Sequence, residues 1–236
     1  MKTRYLRRYS DNQRINHWLM VVLFGLAGFS GLALFHPNLY FFTQFYGGPQ
    51  WARIVHPYFG IFTVLLFLGM LRHFWRANVW RKEDNRWLQA APRLVLHGDS
   101  GALPPVHQYN AGQKIVFWLT TVCLFVLLVT GVLFWQPWFG NAVPIALQRV
   151  AVLLHSIAAF VLSLTVVVHI YAAIWVKGTL RAMTQGTVSA DWAKHHHPLW
   201  YQEQMELEAN AEREQASAEP QAWRTAYAQN GEQAAS

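Results

Sequence analysis

The chain has 236 residues, of which 53% are hydrophobic, 15% aromatic and only 13% charged, with a formal net charge of +7. Soluble domains carry roughly 25% charged residues, so a water-soluble globule is disfavoured and a disordered chain is excluded. Cys123 is the only cysteine, which excludes an intrachain disulfide scaffold and leaves an integral membrane protein as the class to be tested.

Four runs free of charge are long enough to cross about 30 Å of hydrocarbon. The first, 18–35, has Ser30 as its only strongly polar residue. Its basic leader is signal-like, but the run is long for a signal h-region and no small-x-small cleavage site follows, so it is expected to be retained. The second, 54–71, is interrupted by His56; the third, 115–134, ends at Trp135-Gln136-Pro137-Trp138; the fourth, 150–176, lies between Arg149 and Lys177. All are too long for buried strands and lack period-two alternation. They predict an all-α, four-helix transmembrane bundle with helices over about 16–35, 52–74, 113–136 and 148–177. Trp18, Trp51, Trp135, Trp138 and Trp175 sit near span ends, where interfacial aromatic belts form. Gly98-Asp99-Ser100-Gly101 and Pro104-Pro105 predict turns in the middle loop. The expected division is a membrane domain over 1–201 and a Glu-, Gln- and Ala-rich polar tail over 202–236, partly helical and solvated.

Basic residues set the orientation. Five fall in residues 1–14 and seven in the loop 72–114 (Arg72, Arg76, Arg81, Lys82, Arg86, Arg93 and Lys114), with Lys177, Arg181 and Lys194 after the fourth span. The two other loops offer only Arg53 and Arg149. The positive-inside rule therefore places both termini and the middle loop in the cytoplasm. Anionic lipid headgroups account for the excess positive charge, and no nucleic-acid partner is expected.

A histidine in hydrocarbon is costly and marks a functional site. His155 and His169 share the fourth span, 14 positions apart, which is about 21 Å along a helix and close to four full turns. Both then face one side, His155 in the outer leaflet and His169 in the inner. His56 begins the second span from outside, and His17 begins the first from inside. The depths match in pairs: His56 with His155, and His17 with His169. Two such levels describe two stacked bis-histidine haem b groups, each iron having both axial positions filled and so suited to moving single electrons. Gly25, Gly28, Gly31, Gly60, Ala158 and Ala159 would let a flat macrocycle approach, although small residues also serve ordinary helix packing. Zinc or copper would need ligands converging at one point. His73 remains an alternative inner partner to His17. His36, His97 and His107 read as turn or loop residues, and His195-His196-His197 as a contact with a partner or with lipid headgroups rather than a metal site. Cys123 reads as a small packing residue.

The segments RINHW at 14–18, GPQWARIVHP at 48–57, YNAGQK at 109–114, LHS at 154–156 and HIYAAIWVKG at 169–178 occur in this order. Together they resemble the cytochrome b556 (gamma) subunit of membrane-bound respiratory formate dehydrogenase, over roughly residues 5–201. The resemblance implies the same four haem ligands and a quinone site (menaquinone or ubiquinone) at Asn110, Gly112 and His169. It implies an iron–sulfur beta subunit and a molybdenum or tungsten alpha subunit as partners, with formate oxidised on the alpha subunit. Electrons would enter on the periplasmic side and reduce quinone at the cytoplasmic side, contributing to proton motive force in anaerobic respiration. It also implies a multi-pass protein of the bacterial inner membrane, and the family admits a trimer of heterotrimers. The stretch 96–107 and the tail beyond 201 depart from the family pattern. Two alternatives stay open: a cytochrome b subunit of a nickel–iron hydrogenase or thiosulfate reductase, and a membrane transporter or assembly factor that uses histidines as proton relays.

Overall fold

The computed structural model describes residues 3–97, 103–136 and 138–218. The predicted turn at Gly98-Asp99-Ser100-Gly101 and the last part of the tail lie outside the described residues. Among the described residues, four helices are long and apolar enough to cross a membrane. They are α1 (Asp11–Phe35) and α2 (Pro49–Phe74), then, after α3 (Lys82–His97), α4 (Ala111–Phe134) and α5 (Ile145–Trp175). Each of the four contains the corresponding predicted span to within two residues at either end. Large apolar side chains such as Phe125, Phe160 and Trp175 are exposed along them, as hydrocarbon-facing residues should be.

The helix ends follow from local chemistry. Ser10 and Gln13 form a reciprocal capping box at the start of α1, and Asn110 and Gln113 form the same box at the start of α4. Each box satisfies two backbone N–H groups that the helix cannot. His36 ends α1 in extended conformation before Pro37, as expected of a residue preceding proline. A 3-10 helix, Pro37–Tyr46, then carries the chain to Gly47 and Gly48, both at positive φ, and Pro49 opens α2 at its first turn.

The four spans form two antiparallel hairpins, α1 with α2 and α4 with α5. Packing is extensive within each hairpin and sparse between them: α2 leans on α4, and α1 scarcely meets α5. The hairpins touch at mid-depth through an apolar plug of Phe67, Cys123, Leu124 and Leu162, with Phe24 and Val161 packed against it. Cys123 is buried there as a packing residue.

A polar cap closes one end of the bundle. The strand β1 (Tyr5–Arg7) pairs antiparallel with β2 (Thr187–Ser189), Leu6 opposite Val188. Three short or surface helices follow α5: α6 (Thr179–Gln185), α7 (Ala190–His196) and α8 (Pro198–Ala218). Leu6, Tyr9, Phe74, Tyr109, Val188 and Trp200 share one core, so the N-terminal segment, the α2–α4 connection and the chain after α5 lie on the same face.

Arg8 sits at the centre of this cap, buried, its guanidinium 4.8 Å from the Trp200 ring and 5.2 Å from that of Trp192. It donates to the Gln108 carbonyl at 2.6 Å and lies 3.4 Å from His197 Nε2. His197 Nδ1 lies 2.8 Å from the His107 carbonyl. A carbonyl only accepts, so Nδ1 carries the proton and Nε2 is left to accept from Arg8. His197 is therefore a buried cap residue, which corrects its sequence-based reading as a contact for partners or lipid headgroups. The boundary expected at 201 falls inside α8, which continues to Ala218 and is tied down by Glu203 to His107 at 2.7 Å and by Glu208 to Arg4.

Burial, then the neighbouring Arg8 charge, push the His197 pKa down from 6.5 to about 3. The unfolded chain takes up a proton below pH 6.5 that the folded cap refuses, so this contribution to stability is complete above 6.5 and is lost as pH falls towards 3. Replacing His197 by Asn should flatten the dependence of unfolding midpoint on pH across that window, as read by thermal unfolding in detergent.

Candidate functional site

The outer histidines lie on facing helices of different hairpins. His56 on α2 and His155 on α5 have ring centres 6.3 Å apart, with planes inclined by 66°. An imidazole nitrogen binds a transition metal at about 2.1 Å and lies about 1.1 Å from its own ring centre, so two rings opposed across one ion stand roughly 6.4 Å apart. The observed spacing fits such a pair.

What holds these rings is the same on both sides. His56 Nδ1 lies 2.9 Å from Ser30 Oγ and 3.1 Å from the Ala27 carbonyl on α1. His155 Nδ1 lies 3.0 Å from Thr130 Oγ1 on α4. A Cβ added to Gly31 would stand 3.1 Å from His56 Cε1, and one added to Gly131 would stand 3.3 Å from His155 Cε1. Glycine at each position therefore lets a ring lie against the neighbouring helix. Gly31, expected to make room for a macrocycle, makes room for the His56 ring instead. Gly25, Gly28 and Gly60 border open space, since a Cβ there would meet no atom within 4 Å.

The inner histidines also stand on helices of different hairpins, His17 on α1 and His169 on α5. His17 Nδ1 is buried without a hydrogen-bond partner, which is costly in hydrocarbon. His73, the alternative inner partner, is exposed and packs edge-on against Phe74. Among the described residues, no group of three or more His, Cys, Asp or Glu side chains could hold a metal ion. Donors that come only in opposed pairs suit an iron that brings four equatorial nitrogens in its own macrocycle.

Residues 8–186 match the family of prokaryotic cytochrome b561. The chain belongs to that family. It is 43% identical over 199 residues to the cytochrome b556(fdo) subunit of formate dehydrogenase of Escherichia coli K12, covering 83% of this chain and 92% of that one. It is 40% identical over 214 residues to the nitrate-inducible cytochrome b556(Fdn) subunit of the same organism, covering 91% and 98%. It is 39% identical over 198 residues to the cytochrome b556 subunit of Haemophilus influenzae formate dehydrogenase, covering 84% and 83%. This cytochrome is a multi-pass protein of the bacterial inner membrane and, as a cytochrome b, carries haem b.

At the capped end of this cytochrome, Asn110 and Gly112 open α4, while His169 lies six positions before the end of α5. The Asn110 side-chain oxygen is committed to its cap, accepting from the Gln113 N–H at 2.9 Å. The amide nitrogen takes no part in that bond. Gly112 lies under Trp87 of α3, whose Cη2 would be 3.2 Å from an added Cβ. A buried ion pair fixes α3 over this segment: Lys114 Nζ donates to Asp84 Oδ2 at 2.7 Å, and the Arg81 N–H donates to the same oxygen at 2.7 Å.

The sequence reading omitted Ser30, Thr130 and Gly131 as site residues. The signal was present as a hydroxyl residue followed by glycine at 30–31 and again at 130–131, each one helix away from an outer histidine. The ion pair was also out of reach, because α3 was not predicted. Removing one partner of a buried pair strands the other charge. Asp84→Leu should therefore destabilise the protein by about 3–5 kcal/mol, and Asp84→Leu with Lys114→Met should recover most of the loss, as measured by unfolding in mixed micelles.

Proposed function

We propose that this cytochrome is the membrane-anchor subunit of a formate dehydrogenase complex. It carries electrons from an iron–sulfur subunit on the periplasmic side to quinone reduced at the cytoplasmic side. The observation that carries the proposal is the meeting of two histidines from opposed hairpins at 6.3 Å; His169, about 21 Å further along α5, would form the second level with His17. The names of the relatives, all formate dehydrogenase cytochrome subunits, support the choice of complex. An iron–sulfur beta subunit and a molybdenum- or tungsten-containing alpha subunit are the partners this role requires, and the trimer of heterotrimers is the assembly compatible with it. The basic residues of the capped face favour the cytoplasm for both termini.

In this reading His56 and His155 would hold an outer haem, and His17 and His169 an inner one. Haem b, when bound, would supply a one-electron carrier at each level. The chain's own contribution is to hold and to seal. Nδ1–H of each outer histidine is anchored to the adjacent helix, so Nε2 is presented across the gap. The plug of Phe67, Leu124 and Leu162 keeps water out between the two levels. The quinone, menaquinone or ubiquinone, would bind beside His169, taking a hydrogen bond from the Asn110 amide nitrogen, near Gly112 where Trp87 packs on the start of α4. Electrons moving inward with protons taken up on the cytoplasmic side contribute to proton motive force.

Two variants test this. His56→Ala should lower haem content from two per chain to one by pyridine haemochrome assay; retention of both would refute the pairing. Asn110→Leu should cut quinone reduction at least tenfold in the assembled complex with haem content unchanged, and full turnover would reject the quinone site.

A further inference from the structure

The two levels differ in how their histidines are held. At the outer level donor and acceptor roles are fixed. The Ala27 carbonyl, 3.1 Å from His56 Nδ1, can only accept, so Nδ1 bears the proton. Ser30 Oγ has its own carbonyl acceptor in Leu26 at 2.8 Å, which leaves its lone pairs to the imidazole at 2.9 Å. Thr130 repeats the arrangement: its hydroxyl donates to the Val126 carbonyl at 2.6 Å and so accepts from His155 Nδ1–H at 3.0 Å. Both hydroxyl residues are more than nine-tenths buried, so no water competes. At the inner level His17 Nδ1 is buried with no hydrogen-bond partner among the described residues.

A hydrogen bond from the remote ring nitrogen makes the metal-facing nitrogen a stronger donor. A stronger donor favours ferric over ferrous iron and lowers the reduction potential. We propose that Ser30 and Thr130 are positioning residues that fix the outer histidines as Nδ1–H tautomers and hold the outer haem at a lower potential than the inner one. This rests on the dihaem reading above. It deepens that reading by giving the electron path a direction: inward transfer is downhill because the chain hydrogen-bonds both outer ligands, while His17 Nδ1 has no partner among the described residues. The device uses a dipeptide on each of two helices, Ser30-Gly31 and Thr130-Gly131. The hydroxyl sets the ring nitrogen, and the glycine admits the ring.

The test is an optical redox titration of the purified full-length protein with both haems bound, together with electron paramagnetic resonance of the oxidised form. His56→Ala identifies which transition belongs to the outer site. In Ser30→Ala with Thr130→Val, the outer transition should move upward by about tenfold in the oxidised-to-reduced ratio, about 59 mV for a one-electron couple. The inner transition should stay in place, and the outer low-spin signal should change as the rings reorient. Each single variant should shift less, because the remaining hydroxyl still holds its own histidine. Ser30→Thr and Thr130→Ser, which keep the hydroxyl, should match the wild type. If the double variant loses the outer haem, the near-isosteric Thr130→Val alone carries the measurement. An unmoved outer potential and spectrum with two haems bound would overturn the proposal while leaving the dihaem reading intact. An outer potential at or above the inner one in the wild type would overturn it too. Wild-type protein carrying fewer than two haems would end both, and haem content shows that before any potential is read.

Discussion

A neutral imidazole in hydrocarbon has two polar nitrogens and almost nothing around it to satisfy them. The bundle meets that constraint asymmetrically. For each outer histidine the chain supplies one partner, a buried hydroxyl and carbonyl on the adjacent helix, and leaves the opposite nitrogen facing the other hairpin. Tight helix pairs joined by an open seam are the result. Within a hairpin the helices must be close for Ser30 to reach His56 and Thr130 to reach His155. Between hairpins they must stand apart, because 6.3 Å between two ring centres leaves room for something to lie in between.

The mid-depth plug reconciles these demands. Leu162 lies seven positions from both His155 and His169, so all three project to nearly the same side of α5. Where α5 carries leucine the hairpins close on Phe67 and Leu124; where it carries His155 they meet through His56. One helix face thus alternates between packing and ligation, and the spacing of its residues fixes the distance between the two levels.

Much of this was legible in the sequence because the membrane enforces simple rules. Charge-free runs mark the spans, and span direction sets the depth of each histidine, which is enough to match His56 with His155, the two rings that meet at 6.3 Å. The cap obeyed no such rule. His197 reads as one of three adjacent histidines before a proline, and only the fold brings Arg8 and the His107 carbonyl to it across more than 80 positions. The helix α3 was missed because its apolar residues, Trp87 and Leu88 among them, are interleaved with charge and include Pro92. Gly31 illustrates a subtler failure. Its role as a place of close approach was readable, but the group that approaches, the His56 ring, was not.

The pairing of β1 with β2 joins residues 5–7 to residues 187–189. The first strand must wait on the membrane surface until all four spans have been threaded, since its partner is made after α5. Once zipped, the two strands form a buckle linking the start of α1 to the chain just beyond α5, the two helices that carry His17 and His169 and scarcely touch each other otherwise. The inner level is therefore strapped from outside the bilayer, by a clasp that closes only after the fourth span has emerged.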